Sequence, residues 1–166
     1  MPEKRIEEYI VEFLIGETQM LALDFVTYLR VNEMQFEKAG GYWEDKLYWC
    51  INYNDKSVCY ILIEENSWTV WSDDSGDNSY ENSTLDERMK EIAWSKVGVC
   101  ENVNRCFDGC SRSSKSIFGK EFDNVCGTAM KFENPDAETV DCMKKIIKIR
   151  KIYIEKIMEE KICKGQ

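Results

Sequence analysis

Four cysteines lie close together in this chain, in a segment that also carries glycine and basic residues. They are Cys100, Cys106, Cys110 and Cys126, half of the eight cysteines present. Four thiolates bind zinc tetrahedrally at Zn–S distances of about 2.3 Å, and such a site stabilises a loop that has little core of its own. The spacing Cys-x5-Cys-x3-Cys-x15-Cys lacks the paired Cys-x2-Cys motifs typical of zinc sites. We therefore expect no bound cofactor, with zinc at these four cysteines as the alternative.

Thiol chemistry is the second form of that alternative. The same segment carries Arg112, Lys115 and Lys120, whose positive charges would favour a thiolate at Cys110 or Cys126. The chain contains no histidine, which excludes nucleophiles activated by histidine and mixed Cys/His zinc sites. The sequence shows no catalytic signature, so we expect a binding protein rather than an enzyme.

Aromatic side chains form the other group of residues that could bind a ligand. They are Tyr42, Trp43, Tyr48, Trp49, Tyr60, Trp68 and Trp71. Rings on a sheet face bind flat organic molecules by stacking, and they attract cations through their π-electrons. We therefore expect a pocket for a small flat or cationic ligand, lined by Trp49, Tyr60, Trp68 and Trp71. The alternative for the same rings is a ring-rich core.

The aromatic residues lie mostly in segments whose alternation predicts β-strands. These segments are Gln35–Lys38, Leu47–Tyr53, Ser57–Ile63, Ser67–Ser72 and Thr128–Glu133. The alternation places Tyr48 and Cys50 on one face of their strand, and Trp49 and Ile51 on the other. The turn residues between neighbouring segments predict an antiparallel meander. The sequence thus predicts an antiparallel sheet of about four to five strands.

Helical periodicity flanks the predicted sheet. Residues 1–32 predict a helix pair, with Gly16 between the helices and Thr18 as the second cap. Thr84 opens a capping box for a middle helix over residues 83–98, and residues 99–127 are predicted as a cysteine-containing loop. Pro135 starts a long helix that reaches about residue 163. We expect one α+β domain over residues 1–166, whose last helix offers a homodimer contact.

The composition restricts the partners. A net charge of -9 argues against nucleic acid, whose phosphates require a basic surface. The sequence has no apolar run of about 18 residues and no secretory signal pattern. We therefore expect no membrane association and a cytoplasmic location, where the cysteines are reduced.

The order of the predicted elements and several segments resemble a known family. These segments are the hairpin Leu47–Ile63, the stretch Phe118–Asp123, and Lys131–Asp136 leading into Lys144–Lys151. They resemble the YdhG-like proteins, small bacterial α+β domains of largely unknown function. The resemblance implies the fold and no catalytic residues. A weaker comparison with the GyrI-like small-molecule binders implies an aromatic pocket on the sheet.

Overall fold

The structure, a computed structural model, describes residues 4–40, 45–73, 79–81, 85–99 and 113–164. The helices in these ranges are α1 (Ile6–Phe13), α2 (Gly16–Val31), α3 (Glu87–Ser95) and α4 (Ala137–Lys164). The strands are β1 (Gln35–Lys38), β2 (Leu47–Tyr53), β3 (Lys56–Glu64), β4 (Ser67–Ser72), β5 (Val97–Val99), β6 (Ser113–Ile117) and β7 (Lys120–Glu133).

The seven strands of the described residues form one sheet in the order β1-β2-β3-β4-β7-β5, and β6 also pairs with β7. Every neighbouring pair in it is antiparallel. The first part of β7 pairs with β6 and β5, and its last part pairs with β4 and β5. β5 therefore pairs along one edge of β7, whereas β6 and then β4 pair along its other edge.

The central meander confirms the predicted α+β class and the first four predicted strands. β1, β2 and β4 have the predicted bounds, and β3 is one residue longer at each end. The turn between β2 and β3 contains Asn54 and Asp55, whose φ angles are 48° and 65°. Two consecutive left-handed residues are typical of a tight hairpin turn, and asparagine and aspartate tolerate that conformation best after glycine.

The prediction of four to five strands is wrong, because residues 113–127, which it placed in a loop, contain β6 and the first part of β7. β6 and the start of β7 form a hairpin across Phe118 and Gly119, whose φ angles are 50° and 88°. Phe118 is buried, with its ring 5.7 Å from that of Tyr80, and its N–H donates to the Tyr80 carbonyl at 2.9 Å. Residues 100–112, which hold three of the four clustered cysteines, lie outside the described ranges.

The helices follow the prediction, but two of their predicted starts are wrong. α2 begins at Gly16, in a left-handed conformation with φ 59°, rather than at Thr18. α4 begins after Pro135, where the Asp136 carboxylate accepts a hydrogen bond from the Thr139 N–H at 2.8 Å. Side-chain capping therefore fixes the start of α4 more directly than proline does.

The start of the middle helix is also set by a carboxylate. The Asp86 side chain accepts from the Met89 N–H at 2.9 Å, and α3 begins one residue later. The predicted cap, Thr84, lies outside the described residues. Gly98 does not end this helix but lies inside β5.

Helices α1, α2 and α4 pack on one face of the sheet, called here the inner face. Trp49, Ile61, Val70 and Phe132 are directly opposed on β2, β3, β4 and β7, and all four are buried. The Tyr9 ring of α1 lies 5.5 Å from Trp49, and the Phe25 ring of α2 lies 5.9 Å from Trp68. The buried apolar residues form one cluster between helices and sheet, which is the main source of stability.

A buried arginine joins α4 to the sheet. Arg150 has no exposed surface. Its Nε and Nη2 atoms donate to the Ser57 carbonyl at 3.1 and 3.0 Å, and its Nη1 atom donates to the Ser79 hydroxyl at 2.6 Å. The turns of α4 after Ile154 are largely exposed. In the described ranges, none of the helices has the length and apolar character needed to cross a bilayer.

Candidate functional site

A row of five residues crosses the face of the sheet opposite the packed helices, called here the outer face. Glu37 of β1 opposes Cys50 of β2, Cys50 opposes Tyr60 of β3, Tyr60 opposes Trp71 of β4, and Trp71 opposes Lys131 of β7. Directly opposed residues point to the same face of an antiparallel sheet. These five side chains, called here the outer row, therefore lie side by side across five strands.

Three aromatic rings converge at the centre of the outer row. The Tyr48 ring stacks on Tyr60, with centroids 5.9 Å apart and planes 17° from parallel. The same ring lies 5.9 Å from the Trp71 ring at an angle of 50°. All three residues are half-buried. They form a partly exposed aromatic surface rather than an enclosed core.

Two carboxylates lie near these rings, Glu37 on β1 and Asp73 directly after β4. The pKa of the half-buried Cys50 thiol is raised by burial, and the carboxylates of Glu37 and Asp73 raise it further. Burial also raises the pKa of the Tyr60 hydroxyl to about 12, and that hydroxyl donates to Asp73 Oδ2 at 2.8 Å. Cys50 and Tyr60 are therefore neutral at physiological pH.

A positive charge lies at the opposite end. The Lys131 ammonium is 5.7 Å from the centroid of the Trp71 ring, within the range of a cation–π interaction. It also forms an ion pair of 2.7 Å with Glu133 on the same strand. Lys131 and Glu133 are both exposed, so this pair is accessible from solvent.

The structure separates the rings that the sequence grouped into one pocket. Tyr60 and Trp71 lie on the outer face together with Tyr48. Trp49 and Trp68 lie on the inner face with only 4% and 0% of their surfaces exposed. Alternation along each strand produces this division, so the core interpretation is correct for these two tryptophans. Trp43 lies outside the described residues.

The clustered cysteines are only partly placed by the structure. Cys126 is exposed on β7, whereas Cys100, Cys106 and Cys110 lie outside the described ranges. Within those ranges, no group of three cysteine or acidic side chains has the arrangement of a metal site. Val99 and Ser113, which flank residues 100–112 in the chain, both pair with Val125, the neighbour of Cys126.

A groove of about 380 Å³ lies elsewhere, between the start of α3 and the middle of α4. Leu85, Asp86, Lys145, Lys148 and Ile149 line it. Asp86 already caps α3, and both lysines are exposed. The groove therefore offers two exposed lysines and a carboxylate that is already engaged in capping.

The two charged ends of the outer row were not identified from the sequence. Glu37 is one of many surface carboxylates, and Lys131 is 60 residues from Trp71 in the chain. Only the strand register places them in line with the rings. A partial signal was present, because alternation already put Cys50 on the same face as Tyr48.

Comparisons of the chain with protein-family models, with curated proteins and with solved structures find no match. The resemblance to YdhG-like proteins stays a prediction from the sequence.

Proposed function

We propose that this protein is a non-enzymatic module that binds a small, flat, positively charged organic molecule on the outer face of its sheet. The observation that carries the proposal is the convergence of Tyr48, Tyr60 and Trp71 over β3. Three half-buried rings held by a rigid sheet present apolar area without the loss of side-chain freedom that flexible residues would suffer on binding.

The shape of the ligand follows from the arrangement of the rings. Tyr48 and Tyr60 are nearly parallel, 17° apart, and Trp71 is tilted by 50° to Tyr48. A planar molecule can stack on one ring while its edge meets the next, which is a favourable geometry for aromatic pairs. Aliphatic ligands would use little of this geometry.

The charge of the ligand follows from the carboxylates. Glu37 and Asp73 both act electrostatically on Cys50 at the edge of the ring cluster. A cation over the rings would interact with their π-electrons and with these carboxylates at the same time. The net charge of -9 favours the approach of cations over anions as well.

Titration calorimetry with N-methylquinolinium, compared with neutral quinoline, tests the proposal. Wild-type protein is expected to bind the cation more tightly than the neutral molecule. The substitution Trp71→Leu is expected to weaken binding of the cation about fivefold or more, since a partly desolvated cation–π contact contributes about 1–2 kcal/mol. Tyr48→Leu is expected to act in the same direction.

A matched control is available in the chain. Trp94 also has a lysine near its ring, with Lys120 Nζ 5.4 Å from the centroid, but it belongs to α3. Trp94→Leu should therefore leave the affinity for N-methylquinolinium unchanged. Equal weakening by Trp71→Leu and Trp94→Leu, or no binding by the wild type, would contradict the proposal.

A metal-binding or thiol-redox module built on Cys100, Cys106, Cys110 and Cys126 is the second candidate function. What favours it is that Val99 and Ser113 both pair with Val125, next to the exposed Cys126. Metal analysis of protein purified without added zinc tests it. About one equivalent of zinc, lost in Cys126→Ser, supports this candidate; less than about a tenth of an equivalent contradicts the zinc form.

A further inference from the structure

The outer row has opposite charges at its two ends, with the aromatic rings between them. We infer that the ligand is dipolar: its cationic group lies towards Glu37, and an anionic group at its other end pairs with Lys131. This inference rests on the proposed function, because it specifies the ligand of the same surface. It adds a chemical requirement that a simple cation does not meet.

The register gives the dimension of the site. Glu37 and Lys131 are separated by four steps between neighbouring strands. At about 4.8 Å for each step, their backbones are about 19 Å apart. Both side chains are long and can lean inwards over the rings, so their charged groups can reach the ends of a two-ring or three-ring molecule.

Lys131 is suited to receive an anion. Its ammonium group has three N–H donors, and the contact with Glu133 Oε1 at 2.7 Å uses one of them. Because the ion pair is exposed, with 47% and 63% of the two side chains accessible, its own contribution to stability is small. A ligand carboxylate or phosphate can therefore join the ammonium without a large loss.

The chemistry of the two ends is asymmetric. At one end of the outer row, the exposed carboxylate of Glu37 lies on β1 beside Cys50. At the other end Lys131 lies beside Trp71 and pairs with Glu133, while the Asp73 carboxylate lies between the two ends, at the Tyr60 hydroxyl. A flat molecule with an amine at one end and an acid at the other matches this order in one orientation only. A dication would place a positive charge beside Lys131.

Matched probes separate this inference from the proposed function. The probes are an aminomethyl-naphthoic acid with its two groups at opposite ends of the rings, its methyl ester, which is only cationic, and the corresponding methyl-naphthoic acid, which is only anionic. Titration calorimetry on the full chain should give the tightest binding for the zwitterion, by about three- to fivefold over the ester, as expected for one exposed charge pair.

Two variants assign the ends. Lys131→Gln should abolish the preference for the zwitterion over the ester, because it removes the partner of the anionic group. Glu37→Gln should instead abolish the preference of the protein for the zwitterion over the anionic probe. Lys145→Gln, at the groove beside α3, is the matched control and should change neither preference.

The outcomes are distinguishable. If the ester binds as tightly as the zwitterion, the dipolar ligand is wrong and the proposed cation-binding function stands. If no probe binds to the wild type, both are contradicted. A zwitterion preference that survives Lys131→Gln also overturns the inference, because the anionic group is then held by another residue.

Discussion

At the scale of single residues, the buried thiol of Cys59 links the stability of the fold to pH. Cys59 lies on the inner face with no exposed surface, and burial raises its pKa well above the ordinary 9.0, with a further contribution from Asp73. The folded protein therefore holds the neutral thiol, whereas the unfolded chain ionises above about pH 9. The stabilisation is complete below that pH and is lost as the pH rises.

The free energy of unfolding should accordingly fall between about pH 8 and about pH 10, and Cys59 alone should account for about 1–2 kcal/mol of the decrease. Urea unfolding of wild type and Cys59→Ser at both pH values measures this contribution. The variant should be less stable at the lower pH but lose less on going to the higher one. Cys163→Ser, which removes an exposed thiol, is the control; equal slopes in all three proteins would contradict the assignment.

The buried side chain of Arg150 should be costly to remove. Its guanidinium supplies three hydrogen bonds to Ser57 and Ser79, so Arg150→Met leaves buried acceptors without these donors. We expect a loss of about 3 kcal/mol or more in urea unfolding. Arg88→Met breaks an exposed ion pair with Glu138 and should cost far less, because water screens such pairs. Similar losses for the two variants would show that Arg150 does not anchor α4.

At the scale of secondary structure, the start of α4 depends on one carboxylate. The Thr139 N–H donates to Asp136, and this backbone hydrogen bond lowers the Asp136 pKa from its ordinary 3.8. Because the folded-state pKa is lowered, the stabilisation by the ionised cap is complete above the ordinary pKa of 3.8. The contribution is lost as the pH falls through the lowered pKa.

Asp136→Ala should therefore reduce the free energy of unfolding by about 1 kcal/mol at neutral pH. The difference from wild type should shrink in acid, where the wild-type carboxyl is also protonated. Asp136→Asn retains an oxygen acceptor and should recover much of the loss without the pH dependence. A pH-independent difference between wild type and Asp136→Ala would rule out the charged cap.

The hairpin of β6 and β7 shows why local sequence did not predict every element. Its turn uses Phe118 and Gly119 with positive φ, and a phenylalanine is not a typical residue in that conformation. The aromatic contact with Tyr80 and the hydrogen bond from the Phe118 N–H accompany this turn. Tertiary contacts thus accompany a turn that the sequence pattern does not predict.

At the scale of the whole molecule, the helices and the meander could be predicted because their periodicity is local. Ser67–Ser72 alternates between faces, and Gly16 separates two amphipathic segments. The outer row could not be predicted, because it depends on the register of five strands, and one of them comes from the far end of the chain. Alternation assigns each ring to a face, but only the register shows which side chains are neighbours.

The central claim is that a flat cation binds at the outer face. The most direct test is to titrate isotope-labelled protein with N-methylquinolinium and to monitor the indole N–H signals by NMR. Trp71 should shift in proportion to bound ligand, while Trp94 and the buried Trp49 and Trp68 stay essentially unchanged. Shifts at Trp94 without any at Trp71, or no shift at any indole up to the solubility of the ligand, would contradict the claim.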